Sequence, residues 1–345
     1  MNATKVTRTL ALAGLVPAGK LGCSYGVLLP VLALCVATAA WSQPPRLLTG
    51  PGVPPNVPGG VQQAKPAAAI PALAQYRFLT IDIPNSTAAQ ANGINNLGLV
   101  AGSYLDTNYN AHGFTWQDGT VQTVDYPDAL GTYLNATNNQ GMVIGYYVDV
   151  NYNAHAVTYS VASGAWSVLP DIPNYLSSEG YGINDAGAAV GYAGGYAPFD
   201  YVAWIWHPAT ASYSFFTVPG AEPAATYPYA INNKGQVVGG FGDVAFPIFL
   251  HGFLKEGGTY TTIDVPGAYD GNTTPVGINN SGMIAGWFFA TNATLGFVRT
   301  SGGVFKAVNL PGSAGNTYID GINDRGDICG YWYNSAQQAF VASPQ

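Results

Sequence analysis

A ten-residue phrase recurs six times in this 345-residue chain, and that recurrence limits the fold more than any other feature. Its clearest copy is Gly277-Ile278-Asn279-Asn280-Ser281-Gly282-Met283-Ile284-Ala285-Gly286. The others are GINNLGLVAG from Gly93, ATNNQGMVIG from Ala136, GINDAGAAVG from Gly182, AINNKGQVVG from Ala230 and GINDRGDICG from Gly321. Between the markers Asn95, Asn138, Asn184, Asn232, Asn279 and Asn323 the period runs 43, 46, 48, 47 and 44 residues. A period in the forties with β-type patterning belongs to propeller blades rather than to helical arrays.

Each unit divides into four short strands, a to d. In the unit marked by Asn279, strand a covers 275–279, b 283–288, c 295–300 and d 304–310. The Asn-Asn/Asp-x-Gly tetrad is the a–b turn: Asn or Asp caps it and Gly supplies a positive φ. The marker asparagines are therefore read as structural. Strand c carries His112-Gly113-Phe114, His155-Ala156-Val157 and His251-Gly252-Phe253, a small residue beside a large one so that twisted sheets can nest. A histidine that returns at a fixed place reads as a loop-to-strand hydrogen-bonding residue, since a catalytic one is usually unique; His207, off the pattern, reads as a surface turn residue. Strand d repeats Thr80-Ile81-Asp82-Ile83-Pro84, Thr123-Val124-Asp125-Tyr126-Pro127 and Thr262-Ile263-Asp264-Val265-Pro266, the proline marking an edge or a strand end. No window beyond residue 76 holds an apolar face at helical spacing without Gly or Pro cutting it, so no helix is expected. The charged share, 8%, is about a third of the usual one, which suits short and well-buried strands. Phe114, Trp116, Tyr159, Trp204, Trp206, Phe253, Phe297 and Phe340 are the expected core fillers.

The repeat opens with a d strand at 78–83 and closes with a c strand at 339–343, with six strands of each kind. Pairing the two orphans predicts an all-β, six-bladed β-propeller over 76–345, its last blade closed by the N-terminal strand 78–83. Ahead of it, residues 1–42 read as a secretory signal peptide: Lys5, Arg8 and Lys20 precede the apolar run Val27–Ala40, with cleavage expected after Ala39 or Ser42. The Pro-rich stretch 43–75 reads as an extended, disordered linker. These features predict a secreted, extracellular or periplasmic protein with no membrane insertion after cleavage. The formal charge is −7 with no basic run, so nucleic acid is excluded as a partner, and a monomer is expected. Cys23 and Cys35 fall in the leader; the lone Cys329 reads as an inert core residue.

Function is less legible. The d–a and b–c loops are longer and more varied than the a–b turns, which places a candidate site at the channel mouth on that face. Within strand a one position breaks the repeat, reading Asn92, Asn135, Tyr181, Tyr229, Val276 and Asp320. Such groups around one mouth would grip a glycan, a polar peptide or a surface partner; the plainer reading is that mouth positions face water and drift. The twin loops Asp106-Thr107-Asn108-Tyr109-Asn110 and Asp149-Val150-Asn151-Tyr152-Asn153 place Asp106, Asn108, Asn110, Asp149, Asn151 and Asn153 at alternate positions, as a calcium loop does, but lack the Gly and the terminal Glu of an EF-hand. They read as an Asx-rich turn or a weak calcium site; no other cofactor is expected. No nucleophile elbow, zinc-protease motif or phosphate loop occurs. A carboxylate pair for a hydrolase or lyase could come from Asp128, Asp200, Asp270, Asp320 and Glu222, which lie off the repeat. Binding is the first expectation, a secreted propeller-type hydrolase or lyase the second, a structural envelope or matrix component the third.

The G-I-N-N/D-x-G-x-V/I-V/A-G phrase, followed by H-G/A-F/V and I-D-V-P-G, resembles the HAF-repeat family of predicted extracellular bacterial proteins over about 76–343. Tyr201 and Gln338 depart from its histidine. The resemblance implies a secreted, repeat-built protein and carries over no functional residue.

Overall fold

In the computed structural model, residues 71–195, 201–222, 225–242, 250–313 and 315–345 are described. The expected leader and all but the end of the linker lie outside them, as does Asp200. The described chain is all-β and propeller-like, with four-stranded antiparallel units following one another. The first has β2 (Ser86–Ile94), β3 (Val100–Asp106), β4 (Ala111–Gln117) and β5 (Thr120–Thr123). The second has β6 (Gly131–Thr137), β7 (Met142–Val148), β8 (Ala154–Ser160) and β9 (Ala165–Val168). The third has β10 (Ser177–Ile183), β11 (Ala189–Gly194), β12 (Tyr201–His207) and β13 (Ser212–Phe216). The fourth has β14 (Thr226–Ile231), β15 (Val237–Gly242), β16 (Leu250–Glu256) and β17 (Thr259–Ile263). The fifth has β18 (Thr273–Ile278), β19 (Ile284–Ala290), β20 (Ala293–Arg299) and β21 (Phe305–Val308). In the last, β22 (Thr317–Ile322), β23 (Ile328–Tyr333) and β24 (Gln337–Pro344) are joined by β1 (Tyr76–Ile81), from the other end of the chain. The expected pairing of the two orphan strands is present: Thr80 lies opposite Phe340, and the Phe78 and Phe340 rings meet edge-on at 5.3 Å. Single parallel bridges, Ala88 to Gln337 and Ala111 to Gly131, link three of the units into one larger sheet.

The glycines of the phrase show why it repeats. A Cβ on Gly191 would sit 1.9 Å from the Glu179 carbonyl oxygen and 2.4 Å from the Trp204 ring. The same conflict holds at Gly145, Gly239, Gly286 and Gly330, each within 2.0–2.1 Å of a carbonyl of its own first strand. A second glycine sets the spacing between neighbouring units: a Cβ on Gly182 would lie 2.7 Å from the Ala230 Cα. The turn glycine has the expected positive φ, 78° at Gly187 and 85° at Gly282.

Apolar faces pack between successive units. Ile144, Leu169 and Trp204 fill one such layer, Val190, Ile231 and Phe253 the next, and Val238, Ile278 and Phe297 the one after. Ile81, Ala91, Phe114 and Cys329 form the layer joining the last unit to the first. Cys329 is buried and free, and burial pushes its thiol well above the usual range, as an inert core residue requires. Trp116 and Trp206, expected as full core residues, lie toward the outer ends of their strands and stay partly exposed.

The asparagines do more than cap a turn. Asn279 Oδ1 accepts from the backbone N–H of Ser281 and Met283, while its Nδ2 reaches across to the carbonyl oxygen of Asn323 at 3.0 Å. The same reach runs from Asn95 to Asn138, to Asn184, to Asn232, to Asn279, and from Asn323 back to Asn95, at 2.9–3.2 Å. A second hydrogen-bonded ring runs beside it. The backbone N–H groups of Asn96, Asn139, Asp185, Asn233, Asn280 and Asp324 each donate to the side-chain oxygen of the next of these residues, at 2.7–2.9 Å. Asp185 Oδ2 takes amides from Asn139 and Asn233; Asp324 Oδ2 takes them from Asn96 and Asn280. Burial works to raise both carboxyls, yet these hydrogen bonds bring them below the ordinary value.

Three expectations need correction. The linker ends earlier than residue 75, because Leu73 bridges Ala307, Ala74 N–H donates to Ala307 O and Ala307 N–H donates to Ala72 O along β21. The d strands are shorter than read: β5 stops at Thr123, with one further bond from Val124 N–H to Gly113 O, well short of Pro127. One 3-10 turn, Tyr269–Gly271, interrupts the strand-and-turn pattern, with Gly271 at φ 73°.

Candidate functional site: an axial funnel

All six first strands contain a register break of one residue. The ladder skips from Ala91 to Gly93, Leu134 to Ala136, Gly180 to Gly182, Pro228 to Ala230, Pro275 to Gly277 and Ile319 to Gly321. The bulged residues are Asn92, Asn135, Tyr181, Tyr229, Val276 and Asp320, the six positions that vary in the sequence. A bulge leaves its residue out of the ladder and re-aims its side chain. Here all six line one funnel of about 930 Å³. Ile94, Thr137, Ile183, Ile231, Ile278 and Ile322 also line it, next along each strand toward the a–b turns. The asparagine rings follow beyond, around a polar space of only about 70 Å³. The funnel also reaches Ala88, Leu105, Leu250 and Gln337, where first and third strands begin and second strands end, so it faces the d–a and b–c side.

Its walls are aromatic. Tyr133 and Tyr146 stack at 4.7 Å, Tyr181 and Tyr192 at 5.1 Å, and Tyr318 and Tyr331 at 4.5 Å. Tyr229 meets Tyr181 edge-on, and Trp287 meets Tyr318 the same way. The bulge residues are not equivalent. Asn92 Nδ2 donates to Leu134 O at 2.8 Å and Asn135 Nδ2 to Gly180 O at 2.7 Å, so both tie neighbouring units together. Tyr181 donates its hydroxyl to Glu179 Oε2 at 2.8 Å, and Tyr192 does so at 3.0 Å. Burial pushes the Glu179 carboxyl up to about 7, against the two tyrosine hydrogen bonds, and also raises Tyr181 and Tyr192. Glu179 is 2% exposed and stands behind the tyrosine wall rather than in it.

Asp320 differs from all of these. Among the described residues its carboxylate takes no hydrogen bond, and burial alone pushes it up to about 8. On the neighbouring unit, whose first strand β18 packs against β22, Thr274 is 2% exposed, lines the same funnel, and has an Oγ1 without a partner among the described residues. Asp320 is the one carboxyl side chain among the described residues that line the funnel. Sequence reading singled out Asp320 but not Glu179 or Thr274. Their signal was the strand-a position two residues before the bulge, which reads Gln90, Tyr133, Glu179, Tyr227, Thr274 and Tyr318.

The other candidates are scattered. Asp128 sits in an exposed turn at φ 59° and Glu222 in a partly buried loop, neither lining the funnel. Asp200 and the side chain of Asp270 lie outside the described residues. In the twin loops Asp106 Oδ1 accepts the N–H groups of Asn108 and Asn110, and Asp149 Oδ1 those of Asn151 and Asn153. That is the bonding of an Asx turn. No group of three or more His, Cys, Asp or Glu side chains placed to hold a metal ion occurs among the described residues. The repeating histidines join loop to strand: His112 Nδ1 meets Asp125 Oδ2 at 2.7 Å, His251 Nδ1 meets Asp264 Oδ2 at 3.0 Å, and His155 Nε2 meets Asp149 Oδ2 at 3.3 Å. His207 is exposed beside Ser214. No helix of the described residues is long and apolar enough to cross a membrane.

No protein-family model and no curated protein sequence matches the chain. Among solved structures, a mutant of AofleA from Arthrobotrys oligospora is 16% identical over 78% of this chain and 86% of that one, with a TM-score of 0.47. Virginiamycin B lyase from Staphylococcus aureus is 13% identical over 79% and 100%, at 0.46. Aleuria aurantia lectin, solved with α-methyl-L-fucoside, is 9% identical over 77% and 97%, at 0.45. At these scores the likeness carries no activity over to this chain.

Proposed function

We propose that this chain is a secreted, non-catalytic six-bladed β-propeller, its last blade completed by β1, that binds a glycan, a peptide or a surface partner in the axial funnel. The observation that supports this is the coincidence of three properties at one position per unit: variable in sequence, bulged out of the ladder, and lining a common concave space. The two positions that follow it are nearly constant, Gly or Ala and then Ile or Thr, because the fold uses them; this one differs between units. Tyrosine faces flanked by a few polar groups suit a ligand with both flat apolar and hydroxyl surfaces. The hydrolase or lyase reading needs two carboxylates facing one substrate. Among the described residues only Asp320 faces the funnel, since Glu179 is held behind Tyr181 and Tyr192, so binding is the better account.

The test is a glycan array and a pull-down from protease-treated lysate with the full-length protein, alongside Tyr229→Ala. Binding that falls at least tenfold in the variant supports the funnel. Hydrolysis of a polysaccharide panel with nothing retained would replace the binding reading with the enzymatic one.

A further inference from the structure

Resting on that reading, we infer that the funnel takes a ligand with a primary or secondary ammonium group, seated between the Asp320 carboxylate and the Thr274 hydroxyl. Asp320 is held in the funnel by a bulge and has no partner of its own. The flanking bulge residues cannot supply one, because Val276 has no polar atom and the Asn92 amide is committed to Leu134 O and Ser103 Oγ. Thr274 adds a buried, unpartnered oxygen on the adjacent strand, and β18 and β22 pack against each other. An ammonium group has several N–H donors and no acceptor, which suits a carboxylate and a hydroxyl oxygen together. Trp287 lies opposite Thr274 in the ladder and lines the same wall, as does Tyr331, and both rings touch Tyr318. Aromatic surface beside a carboxylate favours cations further. No Lys, Arg or His among the described residues lines the funnel to neutralise Asp320 internally. A partly buried acidic group without a hydrogen-bond partner among the described residues is costly to the fold, and a cationic ligand is the partner that would relieve it.

The titratable groups around Asp320 are Tyr318 on its own strand and Tyr331 and Cys329 on β23, all of them raised by burial and by Asp320 itself. The adjoining β2 and β18 present Gln90, Asn92, Thr274 and Val276, none of which titrates. With nothing else to change charge near neutrality, and with desolvation raising the Asp320 carboxyl, a cation that binds at pH 7 should displace a proton from it.

The experiment titrates full-length protein with n-hexylamine and with n-hexanol, followed by tyrosine and tryptophan fluorescence and by calorimetry in two buffers of different ionisation heat. The expected result is at least tenfold tighter binding of the amine, with close to one proton released per amine at pH 7 and none for the alcohol. Asp320→Asn, which keeps the side chain's shape, should abolish both the preference and the proton release. Thr274→Val should weaken the amine several-fold with proton release retained. Equal binding of both probes, or an amine preference that survives in Asp320→Asn, overturns the ammonium assignment while leaving a neutral ligand in the funnel. Failure of the amine to perturb the funnel aromatics overturns it as well, and the glycan and lysate captures then judge the binding reading on their own.

Discussion

The two ends of the axis are built from the same six strands, a few residues apart, and they are opposite in character. At the a–b turns every asparagine or aspartate of the two rings gives its side chain to a neighbour, and little more than a water-sized space remains. At the bulges the six units carry four different kinds of side chain, and one of them, the Asp320 carboxyl, takes no hydrogen bond from the described residues. The contrast teaches where selection on the fold ends. A side chain that holds the next unit in place must be the same in every unit, because each junction presents the same carbonyl to it. A side chain aimed into common space can differ from unit to unit, even though two of the six, Asn92 and Asn135, also bond the next unit.

Several changes would break or sharpen this contrast. The largest effect is expected from removing residues 76–84. Strand β24 then becomes an exposed edge beside the unit interface, and the truncated protein should melt lower and aggregate, as read by thermal unfolding and light scattering. Asn279→Ala comes next. It leaves the N–H groups of Ser281 and Met283 and the carbonyl of Asn323 short of partners, and should cost roughly 2–3 kcal/mol in denaturant unfolding. A loss below about 0.5 kcal/mol would show that the ring is ornament rather than structure.

In the funnel the expected sign reverses. Asp320 holds its proton up to about 8 when folded, against 3.8 ordinarily, so between those values the folded chain binds a proton that the unfolded chain has released. Stability therefore falls as pH rises through that window and levels off above it. Glu179, raised from 4.5 to about 7, adds the same trend over a narrower window. Asp320→Asn should flatten part of the decline and stabilise the protein at pH 8 by something on the order of a few kcal/mol. An unchanged pH profile would mean that Asp320 is solvated. The smallest effect belongs to the rim. Burial alone would lower the His112 pKa, but Asp125 and Asp106 raise it above 6.5. Its contribution is present at low pH and is lost as pH rises through the raised value. For a partly exposed pair the loss should stay under about 1 kcal/mol, and His112→Gln should remove that pH dependence.

The repeat made the strands, the turns and the β1–β24 pairing legible, because a strand order with two orphans has one economical closure. The six variable positions were legible too, because the two residues that follow each of them barely change. Their common cause was not, since a bulge leaves no mark in residue type: Asn92, Tyr181, Val276 and Asp320 share no property that would announce one. The histidines were read correctly as loop-to-strand residues from their recurrence alone. Glu179 was missed because it sits in a strand position where Gln90, Tyr133 and Thr274 also occur, and nothing local says that it is enclosed.

What the residues determine on their own is local and periodic: where glycine permits a turn, where small side chains let sheets approach, and how often the pattern returns. What the assembled molecule decides is the state of each polar group. Whether a carboxylate is hydrogen-bonded like Asp324, walled in like Glu179 or left open like Asp320 depends on which atoms the neighbouring units bring to it. Desolvation is a property of that surrounding, not of the residue.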